Sequence, residues 1–177
     1  MSLKLFAEAL PDYAKDLRLN LSSLLADQML GDSRKYGLLL ACAHGTGYRP
    51  IVDAAEAEIQ GKLDDAHADA ARAAAAVMAM NNVYYRFVHL ASNAVYATLP
   101  AKLRMNAIGA PGIDKADFEL FSLAVSAQNG CGMCIDAHEK VLNQHGVNAE
   151  TIQAAARIGA VMTAVATVHA TLPPPRP

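Results

Sequence analysis

The residues able to do chemistry in this 177-residue chain gather in "NGCGMCIDAH", positions 129–138. Cys131 and Cys134, two of the three cysteines in the chain, stand here with two residues between them, and His138 follows four residues after the second. Such a pair fits three uses: a metal clip, a structural disulfide, or a dithiol that cycles between thiol and disulfide. Cys131 falls at the start of a helix, where free amides and the positive end of the helix dipole stabilise a thiolate. Cys134 sits one turn inside and shares a helical face with His138. An imidazole beside a thiol can take its proton and raise the thiolate fraction near neutral pH.

Glu119 lies twelve residues before Cys131 on the preceding helical segment. At about 1.5 Å per residue, an antiparallel hairpin turning near residue 130 sets Glu119 level with roughly residue 141, about one turn from His138. A carboxylate there can orient and charge the imidazole, directly or through water. Glu119, His138, Cys134 and Cys131 then form a proton relay that ends in a dithiol. The same residues could instead hold zinc, with Glu119 as the fourth ligand. The sequence offers no second CxxC and no HxxxH, and His145 lies about 10.5 Å beyond His138 along the helix, far for one shared ion. An inert disulfide is the habit of oxidising compartments. His44, His67, His89, His145 and His169 show no ligand spacing, and Cys42 in "LLLACA" reads as a buried small hydrophobe.

The elements that must position these residues are helical throughout. "SLKLFAEAL" is a short amphipathic start, and Pro11 suits the first turn of "DYAKDLRLNLSSLL". A buried helix over about 33–43 ends near Gly45 and Gly47; Pro50 opens "IVDAAEAEIQGKL". The alanine-rich run from "DDAHADAARAAAAVMAM" through "NNVYYRFVHLA" has strong helix propensity, and its tyrosines and arginine, which could serve an interface, read rather as packing residues. Pro100, Gly109, Pro111 and Gly112 punctuate the chain. Helix resumes at "DKADFELFSLAVSAQ" with Asp114 as N-cap, stops at Asn129-Gly130, and returns in "CIDAHEKVLNQH", closed by Gly146. "NAETIQAAARIGAVMTAVATVHATL" is the last helix, and 173–177 should be a mobile Pro-rich tail. No run alternates as a strand would.

Displacing the chain by 83 residues sets "GTGYRPIVDAAEA" (45–57) against "QNGCGMCIDAHEK" (128–140), with Gly47, Asp53, Ala54 and Glu56 matching Gly130, Asp136, Ala137 and Glu139. Internal repeats over about 33–87 and 116–170 are therefore expected inside one domain spanning 1–177. The first copy has Tyr48, Ile51 and Ala55 where the second has Cys131, Cys134 and His138. A hairpin that forms without these three side chains does not need them to fold, which favours a functional use.

Hydrophobic residues make up 53% and charged residues 18%, a folded globular composition. The net charge is -2 with no basic patch, which argues against a nucleic-acid partner. The start of the chain has no apolar signal core, and the most apolar tract, "AARAAAAVMAM", is too short for a membrane span. A cytoplasmic protein with no membrane partner is expected, and there CxxC is catalytic or metal-binding rather than structural.

The stretch "LRMNAIGAPGIDKADFELFSLAVSAQNGCGMCIDAHEKVL", the segment "MNNVYYRF", and the start "LPDYAKDLRLNLSS" resemble the alkyl hydroperoxide reductase D (AhpD) family, of the carboxymuconolactone-decarboxylase-like superfamily. The resemblance spans nearly the whole chain and includes the spacing Glu-x11-Cys-x2-Cys-x3-His. It implies an all-α bundle that assembles as a homotrimer. It also implies a thiol-dependent reductase of alkyl hydroperoxides that reduces the peroxiredoxin AhpC. By the same resemblance the dithiol is regenerated by the dihydrolipoyl group of a 2-oxo acid dehydrogenase E2 component, with no haem, flavin or metal bound. Carried over by position, Cys131 and Cys134 are the redox pair and Glu119 and His138 the relay.

One position departs from the family pattern. Familiar members carry histidine where this chain has Met133, and a thioether takes no proton at neutral pH. The two cysteines also compete for the first step. Helix-terminus electrostatics favour Cys131, expected to be the more exposed, whereas proximity to His138 favours Cys134. The resemblance assigns the sulfenic acid to Cys134 and the resolving thiol to Cys131. The expected activity is therefore alkyl hydroperoxide reduction. The alternatives are a dithiol adaptor between lipoyl domains and a peroxiredoxin with little peroxidase activity of its own, and a zinc-binding or purely structural helical module.

Overall fold

The chain is all-α. A computed structural model describes residues 1–173, with ten α-helices, one 3-10 turn and no strand among them. Helix α1 (Leu3–Glu8) leads through a 3-10 turn (Asp12–Ala14) to α2 (Lys15–Ala26), α3 (Gly31–Thr46) and α4 (Arg49–Glu58). The long α5 (Asp65–Leu90) is followed by two single turns, α6 (Val95–Thr98) and α7 (Asn106–Gly109). The site-bearing hairpin of α8 (Lys115–Gln128) and α9 (Gly132–Gln144) comes next, then α10 (Ala149–Thr171). Three long helices begin on side-chain caps: Asp64 accepts from the His67 amide, Asp114 from Ala116 and Asn148 from Thr151.

Helices α3 and α8 form the centre, flanked by α5 and α10. Residues Lys35 to Ala43 of α3 and Ala116 to Ser126 of α8 are buried without a break, as helices surrounded by helices must be. The two cross closely at Gly37: a Cβ there would lie 2.2 Å from the Phe121 ring, so only glycine fits. Glu119 is thus carried into the interior by a core helix.

Four details differ from the sequence reading. Pro11 precedes the 3-10 turn rather than opening α2, and α4 stops at Glu58, short of the expected Leu63, because the chain turns back at Gly61 with φ of 71°. The most extended apolar helix is α10, not the alanine run of α5. By length and composition alone α10 could cross a membrane, but here its Ile158, Met162 and Val165 pack in the core beside α8 and α3. The fourth concerns the tyrosines and arginine of "MNNVYYRF", read as packing: Tyr84 and Tyr85 are half-buried but Arg86 is exposed, as are the nearby Val83, Phe87 and Leu90 at 62%, 49% and 71%. The end of α5 runs past the edge of the bundle, and no residue from Val83 to Lys115 is buried. The expected Pro-rich tail lies, from residue 174 onward, outside the described residues.

Helices α3, α4 and α5 follow the same order, medium, short and long, as α8, α9 and α10. Their tight turns use Gly47 and Gly130, 83 residues apart and both left-handed, with φ of 67° and 65°. The N-caps of α5 and α10, Asp64 and Asn148, are 84 apart, one residue more than the spacing of the two turns.

Candidate active site

The hairpin turn places the cysteines. Helix α8 ends at Asn129, Gly130 reverses the chain, and Cys131 is the N-cap residue of α9. Its amide bonds the Ser126 carbonyl at 3.1 Å, while its own carbonyl accepts from Cys134 and Ile135 at 3.0 Å each. Cys131 and Cys134 are joined as a disulfide, with Cα atoms 5.3 Å apart. Cys131 is not the more exposed of the two: it is fully buried, and Cys134, 5% exposed, faces a cavity. The amide bond to Ser126 draws Cys131 against the end of α8, while Cys134, one turn on, looks outward.

The turn is tied to α5 by a polar chain. Arg86 donates to the Asn129 carbonyl at 2.6 Å, Asn129 donates to Asn82 Oδ1 at 2.9 Å, and Asn82 donates to Ser126 Oγ at 2.9 Å. These bonds, buried at Ser126 and open to solvent at Arg86, hold the cysteine turn at one height above α5. Sequence reasoning missed them, although "MNNVYYRF" was the segment that carried them.

Glu119, 2% exposed, meets His138 directly: Oε2 is 2.5 Å from Nδ1. Lys115 pairs with the other carboxylate oxygen at 2.7 Å. Burial pushes the Glu119 carboxyl up, but the bonds from His138 and Lys115 pull it below its ordinary value, so it stays ionised. An ionised carboxylate at Nδ1 selects the tautomer with the proton on that nitrogen, leaving Nε2 as the proton-accepting end. Nε2 faces Met78 Sδ at 3.2 Å. A thioether is a weak partner and competes little for whatever proton Nε2 carries.

Cys134, His138 and Glu119 all line one cavity of about 340 Å³. Its other walls are mostly apolar and include Met78, Met105, Ile108, Met133 and Tyr85, with Asn81 between them. Met133 is 38% exposed. Helix α7 helps roof the space, and the Ile108 carbonyl accepts a hydrogen bond from Lys115. Lys115 therefore links the roof to the relay carboxylate.

Cys42, Glu56 and the histidines at 44, 67 and 169 stand elsewhere. Cys42 is fully buried, and burial pushes its thiol far up, which leaves it inert. His44 and Arg72 share Glu56, and the Arg72 bond, outweighing burial, holds that carboxyl at about 2. His67 pairs with Asp64 at 2.8 Å, and His169 stacks on Phe6.

Comparison with known proteins places these features in a lineage. The sequence model described as "Carboxymuconolactone decarboxylase family" matches residues 94–175. A protein named alkyl hydroperoxide reductase AhpD from Rhizorhabdus wittichii is 75% identical over 171 residues, 97% of this chain and 99% of its own length. Proteins of the same name from Rhodopseudomonas palustris and Hyphomonas neptunium are 61% and 58% identical, covering 94% and 96% of this chain and 92% and 94% of their own.

Proposed function

Since the chain belongs to the alkyl hydroperoxide reductase AhpD family, we propose that it is an antioxidant oxidoreductase that reduces alkyl hydroperoxides with the Cys131–Cys134 dithiol. The observation that carries this is a disulfide-forming pair whose Cys134 shares a cavity with a histidine held by an ionised, buried carboxylate.

In the reduced protein His138 Nε2 takes the proton of Cys134, and Glu119 at Nδ1 stabilises the imidazolium that results. The thiolate attacks the terminal peroxide oxygen, and the alkyl-bearing oxygen leaves as an alcohol. The sulfenic acid on Cys134 then condenses with the Cys131 thiol and releases water. A dihydrolipoyl arm on an E2 component reopens the disulfide by exchange, and the peroxiredoxin AhpC draws electrons from the same dithiol through a mixed disulfide. No cofactor is bound in this scheme, and the work is cytoplasmic, without nucleic-acid or membrane partners.

The unburied stretch from Val83 to Lys115, with Phe87 and Leu90 outward, supports assembly as a homotrimer. The matching order and turns of α3–α5 and α8–α10 support a single domain built from two copies of one unit.

Met133 favours a second reading. It stands at the cavity where the family pattern has a proton-carrying histidine, and it cannot serve in acid–base work. Here the dithiol passes electrons from lipoyl domains to a peroxiredoxin and reacts little with peroxides itself. A steady-state assay with t-butyl hydroperoxide and dihydrolipoamide as sole reductant separates the two. Turnover without added peroxiredoxin supports the peroxidase; turnover only with it selects the adaptor. A stoichiometric metal protecting both thiols from peroxide would replace both with the zinc-binding module.

A further inference from the structure

Two neighbouring asparagines on α5 are used differently. Asn82 is wired into the hairpin: its amide donates to Ser126 Oγ and its Oδ1 accepts from Asn129, each at 2.9 Å. Asn81 is 4% exposed and lines the active-site cavity, yet its Oδ1 is buried with no hydrogen-bond partner. Neither end of its carboxamide bonds another described residue. A buried amide left unpaired is costly, and a leucine or methionine would fill the place without that cost. Met78, Asn81 and Tyr85 follow one another at helical spacing, so one stripe of α5 presents a thioether, an amide and a phenol ring to the cavity. Met78 touches the relay histidine, which sets Asn81 one turn from the reacting groups.

We propose that Asn81 is a catalytic residue that binds the peroxide group itself, with the carbon body of the alkyl hydroperoxide held by the methionine and isoleucine walls. This rests on the peroxidase reading above. The unbonded carboxamide turns so that Asn81 Oδ1, closed off in the structure, accepts the terminal O–H of the peroxide and fixes which oxygen faces Cys134. The Cys134 thiolate forms an S–O bond to that oxygen, and the O–O bond breaks. The electron pair passes to the alkyl-bearing oxygen, which takes the proton that His138 removed from Cys134 and leaves as an alcohol. The Asn81 N–H donates to that oxygen while its negative charge develops. Sulfur is oxidised from thiolate to sulfenic acid and the peroxide is reduced to alcohol, so no further reactant is needed.

The test compares two reactions in wild type, Asn81→Leu and Asn81→Ala. In the first, pre-reduced protein is mixed with t-butyl hydroperoxide, acid-quenched, and its thiols counted over time. In the second, the oxidised protein is reduced by dihydrolipoamide with no peroxide present. Loss of one donor to a developing oxyanion costs on the order of 10²-fold. We expect that loss in the peroxide step of whichever variant folds, with disulfide reduction at the wild-type rate. An unchanged peroxide step overturns the proposal, and so does an equal fall in both reactions, which would make Asn81 structural. Failure of the wild type itself to consume the peroxide would overturn the peroxidase reading and this proposal together.

Discussion

Replacing Glu119 with glutamine isolates what its charge does. The substitution keeps the side chain's shape and leaves an oxygen to accept from His138 or Lys115, but removes the negative charge that both now face at 2.5 and 2.7 Å. A hydrogen bond to a charged group contributes about 1.5–3 kcal/mol, against about 1 for a neutral one. In the reduced protein that difference falls on the imidazolium formed when His138 takes the Cys134 proton. That difference is about 0.5–2 kcal/mol, and at about 1.4 kcal/mol per factor of ten the thiolate fraction near neutral pH should fall roughly 2- to 30-fold. The assay is iodoacetamide alkylation of Cys134 in a Cys131→Ser background, followed across pH, with circular dichroism to show that the helices are intact. The charge also leaves a mark on stability. Glu119 is held below its ordinary value of 4.5, so its stabilising bonds are fully present above that value and fade as pH falls through the lower, folded one. The urea-unfolding gap between wild type and Glu119→Gln should therefore be about 0.5–2 kcal/mol for each of the two bonds near neutral pH, and close in acid. A folded Glu119→Gln protein with wild-type alkylation at every pH would refute the relay.

Three further outcomes follow from the site. With Cys134 as the attacking sulfur, a sulfenic-acid trap should label the Cys131→Ser protein after peroxide; label confined to Cys134→Ser would reverse the assignment. Met133→His restores a proton-carrying side chain at a partly exposed cavity position, so peroxide reduction should rise about 10-fold or more, the scale of a general acid–base contribution, while reduction by dihydrolipoamide stays constant; equal rates would acquit Met133. Phe87→Glu places a charge on the outward face of α5, 49% exposed in the single chain. Light scattering should show the wild type as an oligomer and this variant shifted towards monomer, and a wild-type monomer would end the trimer proposal.

Local chemistry made much of this molecule readable from its residues. Asp114 before "KADF" marks a helix start because its carboxylate can satisfy an end amide, and the cap forms on Ala116. Asn129-Gly130 marks a stop because Gly130 adopts a left-handed φ of 65°. From these two points alone the antiparallel register sets Glu119 near His138. What stayed hidden depends on which face of a helix turns inward. Helix α5 is alanine on nearly every side, so its periodicity could not show that Met78 and Asn81 face the cavity. Lys115 reaches the Ile108 carbonyl across a stretch with no buried residue, where no hydrophobic pattern exists to be read. The burial of Cys131 follows from a single amide bond to Ser126 and has no signature in sequence spacing.

The positions 83 residues earlier show what the hairpin needs and what the site adds. There Tyr36, Tyr48, Ile51 and Ala55 stand where Glu119, Cys131, Cys134 and His138 do, and Ile51 and Ala55 are completely buried. Helix α1 packs on α4, with Leu3 and Phe6 fully inside, and its Leu3 amide is fixed to Glu58. The same helix–turn–helix therefore closes over an apolar filling at one end of the bundle. Among the described residues no such helix covers α9, only the turn of α7 held by Lys115. A buried carboxylate and an unpaired amide are costly in a core, and the α3–α4 hairpin closes without them. Their cost is tolerated only where the roof is light enough to leave room for a reactant. On that argument reactivity in this chain comes less from the CxxC than from the missing plug above it. Stiffening the span from α6 to α7 should then slow peroxide entry before it disturbs the dithiol.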